Sequence, residues 1–356
     1  YQLLTIDPSL GLPLVNNEEI NRASIRYIPR MLYYTIFRRG YSAQVIGTFY
    51  NKILMAYGLY EVYVRKFQKI SSIKVLLLCN DHSVENRALL KAAQKTGIKS
   101  VYFQHASVTP EFPKLEFDYA FLDGLDALIK YEALGESKTK VFLSGMPKMD
   151  KHLEHTPSFT KRIGLCINGQ EDMVKCNELI RRFEDSSLGY ELVFRPHPFM
   201  VDRLESYNYN KQLWIISNPR IEPTVDFLTS VDIVISESSN ILLEAALLRT
   251  YPIYFMSNSE RDDYYGFHKN GVVHEKLTNA EGIMSHLESI DLHDLTQKSF
   301  RNTKYYNAGI GTRFQGGASR LIGESVSALL QEREFIDPNV WFRMSERSLE
   351  SYELAE

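Results

Sequence analysis

The sequence predicts an α/β protein built from two doubly wound parallel-sheet domains facing each other across a cleft. Three observations predict it. From Ile73 onward, short apolar runs alternate with helical stretches, as βαβ units require. The alternation stops at a polar segment near 147–160 and restarts at Arg162. Polar clusters follow directly after several strands, where open parallel sheets bind their ligands.

The elements follow in order. Residues 17–70 read as helices, with NNEE near their start as a cap. From 20 to 70 there are nine cations and one acid, Glu61, with aromatic residues interleaved. These helices either pack on the core with solvated basic faces or form a surface for an anionic membrane or polymer. IKVLLLCN (73–80) is the first buried strand, and 85–97 is a helix closed by Gly97. KSVYFQH (99–105), FDYAFLDG (117–124) and KVFLSG (140–145) are the next strands. After the segment at 147–160 come strands at 162–168, 190–196, 213–217, 231–236 and 251–255, with helices near 171–185, 222–230 and 239–248. A helix from about Gly316 to Gln331 is placed to return to the first domain, and the tail, 331–356, is expected to be helical.

The bulk composition agrees. A chain of 356 residues suits two domains, and 44% hydrophobic with 24% charged residues is a folding composition. A net charge of −3 excludes a general nucleic-acid binder. Cys79, Cys166 and Cys176 form no CxxC, so neither a disulfide framework nor a zinc site is expected, and a reducing cytoplasm is. No apolar run reaches the roughly 18 residues of a membrane helix. The chain opens on Tyr1 rather than Met, so a longer parent enzyme is not excluded.

Four stretches carry candidate chemistry. In LVFRPHPFM (192–200), Arg195 and His197 are set by Pro196 and Pro198 where a strand stops. Proline cannot continue a central ladder, so the chain leaves the sheet there with a guanidinium and an imidazole suited to a phosphate. A structural turn is the alternative. In SESSNILLE (236–244), Ser236, Ser238, Ser239 and Asn240 lead from a strand into a helix, whose free N–H groups favour an anion; an ordinary serine cap is the alternative. Glu244, one turn inside, can reach a ribose diol.

In the first domain, Asp81, Glu85, Gln104 and His105 follow strands, as does Asp123 with Gly124. Asp or His there can act as a general base, and a polar loop or turn is the alternative. GIGTRFQGGAS (309–319) offers Thr312 and Arg313 as a further anion contact or forms a flexible turn; it matches neither a dinucleotide fingerprint nor a P-loop. There is no DxD motif to support a metal-bridged diphosphate, and no metal site or cofactor is expected.

Taken together, RPHP at 195–198, the serines at 236–239 and the QHA-containing run 101–124 followed by VFLSGMPKMD resemble the GT-B glycosyltransferases. Within that group the chain is similar to bacterial surface-polysaccharide transferases with HP and serine motifs: sialyltransferases, Kdo transferases and CDP-glycerol polymerases. The resemblance covers about 74–330. It implies an acceptor-side domain over 1–150 and a donor-nucleotide domain over 151–330. His197 would meet the donor phosphate, with Arg195 supporting the turn. Ser238 and Ser239 would hold phosphate or carboxylate, and Glu244 the ribose. His105, Asp81 or Asp123 would serve the acceptor. The implied partners are a cytidine-nucleotide-activated donor of CMP-Kdo, CMP-sialic acid or CDP-polyol type and a glycan or glycolipid acceptor, at the inner face of a membrane. This chain departs from the group's QHG motif, having Ala106 as the third residue, and the helices at 17–70 have no counterpart. A UDP-GlcNAc 2-epimerase-like isomerase and a non-catalytic glycan-binding scaffold are the competing readings.

Overall fold

The computed structural model describes residues 16–37, 41–70, 72–80, 82–157, 159–258, 262–331, 333 and 341–343. Three helices open it: α1 (Asn17–Ile25), α2 (Ile28–Phe37) and α3 (Tyr41–Lys69). The Asn16 side chain caps α1 by accepting from the Glu18 amide, and two glutamates fill the first turn, where negative charge is favoured. Gly58 lets α1 approach α3 closely, since a Cβ there would lie 2.5 Å from the Ile20 carbonyl oxygen. Tyr27 stacks on Tyr57 at 4.4 Å and its hydroxyl donates to Glu61. Leu59, Tyr63 and Phe67 of α3 join the first domain's core.

The first sheet contains β1 (Val75–Leu78), β2 (Lys99–Phe103), β3 (Tyr119–Leu122) and β4 (Lys140–Leu143), parallel and in that order. Its helices are α4 (Val84–Thr96), capped by Ser83 and ended by Gly97 at φ 74°, and α5 (Leu125–Ala133). The second sheet contains β5 (Arg162–Ile167), β6 (Glu191–Pro196), β7 (Trp214–Ile216), β8 (Ile233–Ser236), β9 (Tyr251–Phe255) and β10 (Lys276–Leu277). Its order is β10-β9-β8-β5-β6-β7, all parallel. The helices around it are α6 (Met173–Glu184), α7 (Thr224–Ser230), α8 (Asn240–Leu247), α9 (Ala280–Ser289) and α10 (Leu292–Asn302). Chain direction across this sheet reverses between β5 and β8, which makes the C-terminal ends of those strands its switch point.

The two halves are tied together. Helix α11 (Ala318–Leu330) returns to the first sheet, laying Leu321, Ile322, Val326 and Leu329 on Val101, Phe121 and Phe142. The Asp150 carboxylate caps it, accepting from the amides of Ala318 and Ser319. The segment at 147–160 is more than a polar linker. Met149 and Leu153 are buried with Phe227 and Leu243 of the second domain, and Arg249 donates to the Leu153 and His155 carbonyls.

The tail is not the helix expected over 331–356 where it is described. Trp341–Arg343 form β11, antiparallel to β4. The edge of β4 offers unpaired backbone groups, and an aromatic pair has high strand propensity.

Candidate functional site

The lip of the second sheet is assembled from the loops after β5, β6, β8 and β9. After β5, Gly169 adopts φ 81°, and a Cβ there would meet the Met200 sulfur at 2.9 Å. The Glu171 carboxylate holds this turn by accepting from the amides of Asn168 and Gly169 and from the Tyr207 hydroxyl. After β6, the His197 amide donates to the Ile167 carbonyl at 2.7 Å, carrying the ladder one residue beyond the strand. The imidazole is exposed and lies against the Phe199 ring at 4.3 Å. Partial burial lowers its pKa from the usual histidine value, so the ring is neutral near pH 7.

After β8, Ser236 and Glu237 are buried, and Ser239 caps α8 with its hydroxyl facing the Ile241 amide. Asn240 begins the helix, and its buried Oδ1 has no partner. Ser238 is half-buried, and its hydroxyl has no partner among the described residues. Cys166 of β5 pairs with Arg195 on one side and with Ser236 on the other. His197 and Ser238 therefore leave the two strands that flank β5, about 10 Å apart at two strand spacings. They stand at the switch point.

Two residues take roles that local sequence does not show. Glu237 is a brace: its carboxylate accepts from the Ser257 hydroxyl and, at 2.8 Å, from the Asn258 amide. Ser257 in turn accepts from the Asp172 amide at 2.9 Å, so the ends of β5, β8 and β9 are fixed to one another. Arg195, expected among the donor contacts, is buried inside the domain. Its guanidinium donates to the Ser217 hydroxyl, to the Glu222 carboxylate and carbonyl and to Thr224, and lies 4.7 Å over the Phe227 ring. Strand alternation explains this, because Arg195 falls on the face that α7 covers.

The lip of the first sheet is different. Gln104 is structural: it accepts from the Asp123 amide at 2.9 Å and donates to the Ala106 carbonyl at 3.0 Å. The His105 ring is exposed and forms a cluster with His82 at 5.5 Å, while Phe112 lies 5.0 Å from His82. Glu85 lies in the first turn of α4, within electrostatic reach of Tyr63 on α3. Asp81 lies outside the described residues.

Asp123 is buried beneath a strap from the far end of the chain. The Ala308 amide donates to its carbonyl at 2.8 Å, and a Cβ on Gly124 would lie 2.5 Å from the Tyr306 carbonyl carbon. Gly145, at φ 80°, passes equally close to the Asn307 side chain. Burial pushes the Asp123 carboxyl up to about 8, with the Lys148 charge opposing the rise. Lys148 also reaches across to α8, where its ammonium pairs with Glu244 at 2.5 Å. It thus stands between the two lips.

The glycine-rich stretch continues the strap. The Thr312 hydroxyl is used within the turn, donating to the Gly309 carbonyl at 2.8 Å and accepting from the Phe314 amide at 3.1 Å. Arg313 lies exposed over the Phe314 ring at 4.8 Å. Among the described residues, no group of three His, Cys, Asp or Glu side chains is placed to hold a metal.

No family model and no curated protein matches the chain. Solved structures do. A structure assigned as a UDP-N-acetylglucosamine 2-epimerase from Listeria monocytogenes aligns with TM-score 0.56 at 16% identity, over 80% of this chain and 83% of that one. A complex of S. aureus MnaA with UDP aligns with TM-score 0.52 at 15% identity, over 79% and 81%. The wall teichoic acid polymerase TagF aligns with TM-score 0.50 at 12% identity, over 87% and 98%. At these identities the likeness is one of fold: two facing Rossmann-like domains with an N-terminal helical segment, the GT-B architecture.

Proposed function

We propose that the chain is a GT-B glycosyltransferase that uses a cytidine-nucleotide-activated donor, of CMP-Kdo, CMP-sialic acid or CDP-polyol type, to build a bacterial surface polysaccharide. One observation carries the reading: the His197 ring, the free Ser238 hydroxyl and the N-terminus of α8 stand together at the switch point. Each can stabilise the charge of a departing nucleotide phosphate. A helix N-terminus and a hydroxyl donate without needing to ionise. The neutral imidazole can donate one hydrogen bond from its ring N–H to the oxygen of the departing phosphate. Glu244 serves the ribose once Lys148 yields, and Lys148 is then a cation near the developing phosphate charge.

Asp123 is the group best suited to proton transfer at the acceptor. With a pKa near 8 it is largely protonated at neutral pH and ionises just above it. As the base for an acceptor hydroxyl, it gives a rate that rises with pH up to about 8. The His82–His105–Phe112 rings offer flat surfaces for a sugar.

A second reading, an isomerase acting on UDP-GlcNAc, is favoured by the higher structural likeness of the neighbour assigned as a UDP-N-acetylglucosamine 2-epimerase. Calorimetric titration with CMP, CDP, UDP and UDP-GlcNAc separates the two. The first reading expects a cytidine nucleotide to bind tightest and His197→Ala to weaken it. Tightest binding of UDP-GlcNAc, with turnover in the absence of any acceptor, replaces it with the isomerase. Binding without turnover of any donor leaves a scaffold.

A further inference from the structure

We infer that α1 and α2 present a docking face for an anionic lipid bilayer, with the apolar stripe of α2 entering the headgroup layer. The inference rests on these helices alone and stands whichever nucleotide the cleft takes. On α2, Ile28, Leu32 and Ile36 repeat at four-residue spacing along one edge, and Tyr33 and Phe37 follow along the next. All five are exposed, Ile36 by 70% and Phe37 by 67%, and Ile25 at the end of α1 is exposed with them. Only Met31 of α2 is buried. The face is therefore not the solvated outer side of a core helix. It is a contiguous apolar surface of the kind that marks an interaction site.

Charge decides the occupant. From Ile20 to Tyr60 the chain has no Asp or Glu and carries six cations: Arg22, Arg26, Arg30, Arg38, Arg39 and Lys52. The acids just outside this span are already engaged, Glu18 with Arg22, Glu19 with Lys66 and Glu61 with the Tyr27 hydroxyl. A second copy of the chain would oppose like charges across a two-fold interface, which is unfavourable. An anionic bilayer complements both the apolar stripe and its arginine border. No helix among the described residues is long and apolar enough to cross a membrane, so the contact is peripheral. The face is firmly joined to the catalytic body, because α1 packs on α3 at Gly58 and α3 shares the first domain's core. A lipid-borne acceptor would thus be met by the domain that carries Asp123.

The test is sedimentation of the full chain with vesicles of phosphatidylcholine alone and of an equal mixture with phosphatidylglycerol. Binding to the mixed vesicles at low salt, and its loss at about 0.5 M salt, is expected. Arg26→Gln and Arg30→Gln should each weaken it about fivefold. The double change Leu32→Glu with Ile36→Glu should abolish it while leaving the melting curve unchanged. Val174→Glu, at an exposed apolar residue of α6, should bind like the parent. Absent binding, equal binding to neutral vesicles, or undiminished binding of the double glutamate variant overturns the inference. Self-association that the double variant removes, without vesicle binding, assigns the face to a second copy and overturns it as well.

Discussion

The lips of the two sheets face one cleft but are built on opposite principles. In the second domain the chain ends are locked by polar braces: Glu171 on its turn, Glu237 on β9, Arg195 on the start of α7. The braces use up most local donors and acceptors, and they leave the His197 ring, the Ser238 hydroxyl and the mouth of α8 facing outward. In the first domain the central group, Asp123, has no such network around its carboxyl among the described residues and is tuned by burial beneath the 306–309 strap. A site for a fixed anion is served by preorganised donors. A site for proton transfer is served by a carboxyl whose affinity for a proton has been raised by a low-dielectric setting.

Substitutions can break or sharpen this contrast. The largest effect is expected for Arg195→Met, which leaves Glu222 without its buried partner. Stability should fall by about 3 kcal/mol, while the nucleotide dissociation constant of the folded protein stays within about twofold. Urea unfolding and calorimetry measure the two. A large loss of affinity at normal stability would return Arg195 to the binding surface.

Per pH unit, next in size is the effect of Asp123 on stability. Its folded pKa is raised from 3.8 to about 8, so the folded chain holds a proton that the unfolded chain releases. Stability should therefore fall as pH rises through that window, by up to about 1.4 kcal/mol per unit. Asp123→Asn should remove this slope and should also abolish a rate that climbs toward pH 8. Parallel stability curves for the two proteins between pH 5 and 7 would refute a raised Asp123.

His197→Ala should weaken cytidine-nucleotide binding by about 2 kcal/mol, the worth of a hydrogen bond to a charged group, with no loss of fold. Normal CMP affinity would remove His197 from the site. The smallest shift belongs to Lys148→Met. Its charge favours ionised Asp123, so its loss should move the Asp123 titration further upward, by less than about one unit. A downward move would show that Lys148 does not act on Asp123.

Much of this molecule is legible from local sequence. The apolar runs mark the strands, Ser83 and Gly97 bound α4, and the two prolines around His197 show where β6 must leave the sheet. These features depend on neighbours a few residues away, and short-range sterics and hydrogen bonding set them. The serine run likewise marks the start of α8 at a strand end.

Tertiary structure alone decided the rest. Sequence spacing puts Arg195 and His197 two apart and so on comparable footing, yet β6 ends at Pro196, so α7 covers Arg195 while His197, already beyond the strand, is exposed. Thr312 looks like a free hydroxyl until the turn that consumes it is seen. Lys148 meets Glu244 across 96 residues of chain, and Asp123 owes its burial to residues more than 180 positions downstream. Proton affinity and solvent exposure depend on everything that surrounds a group, and distant segments become its surroundings only when the chain is packed.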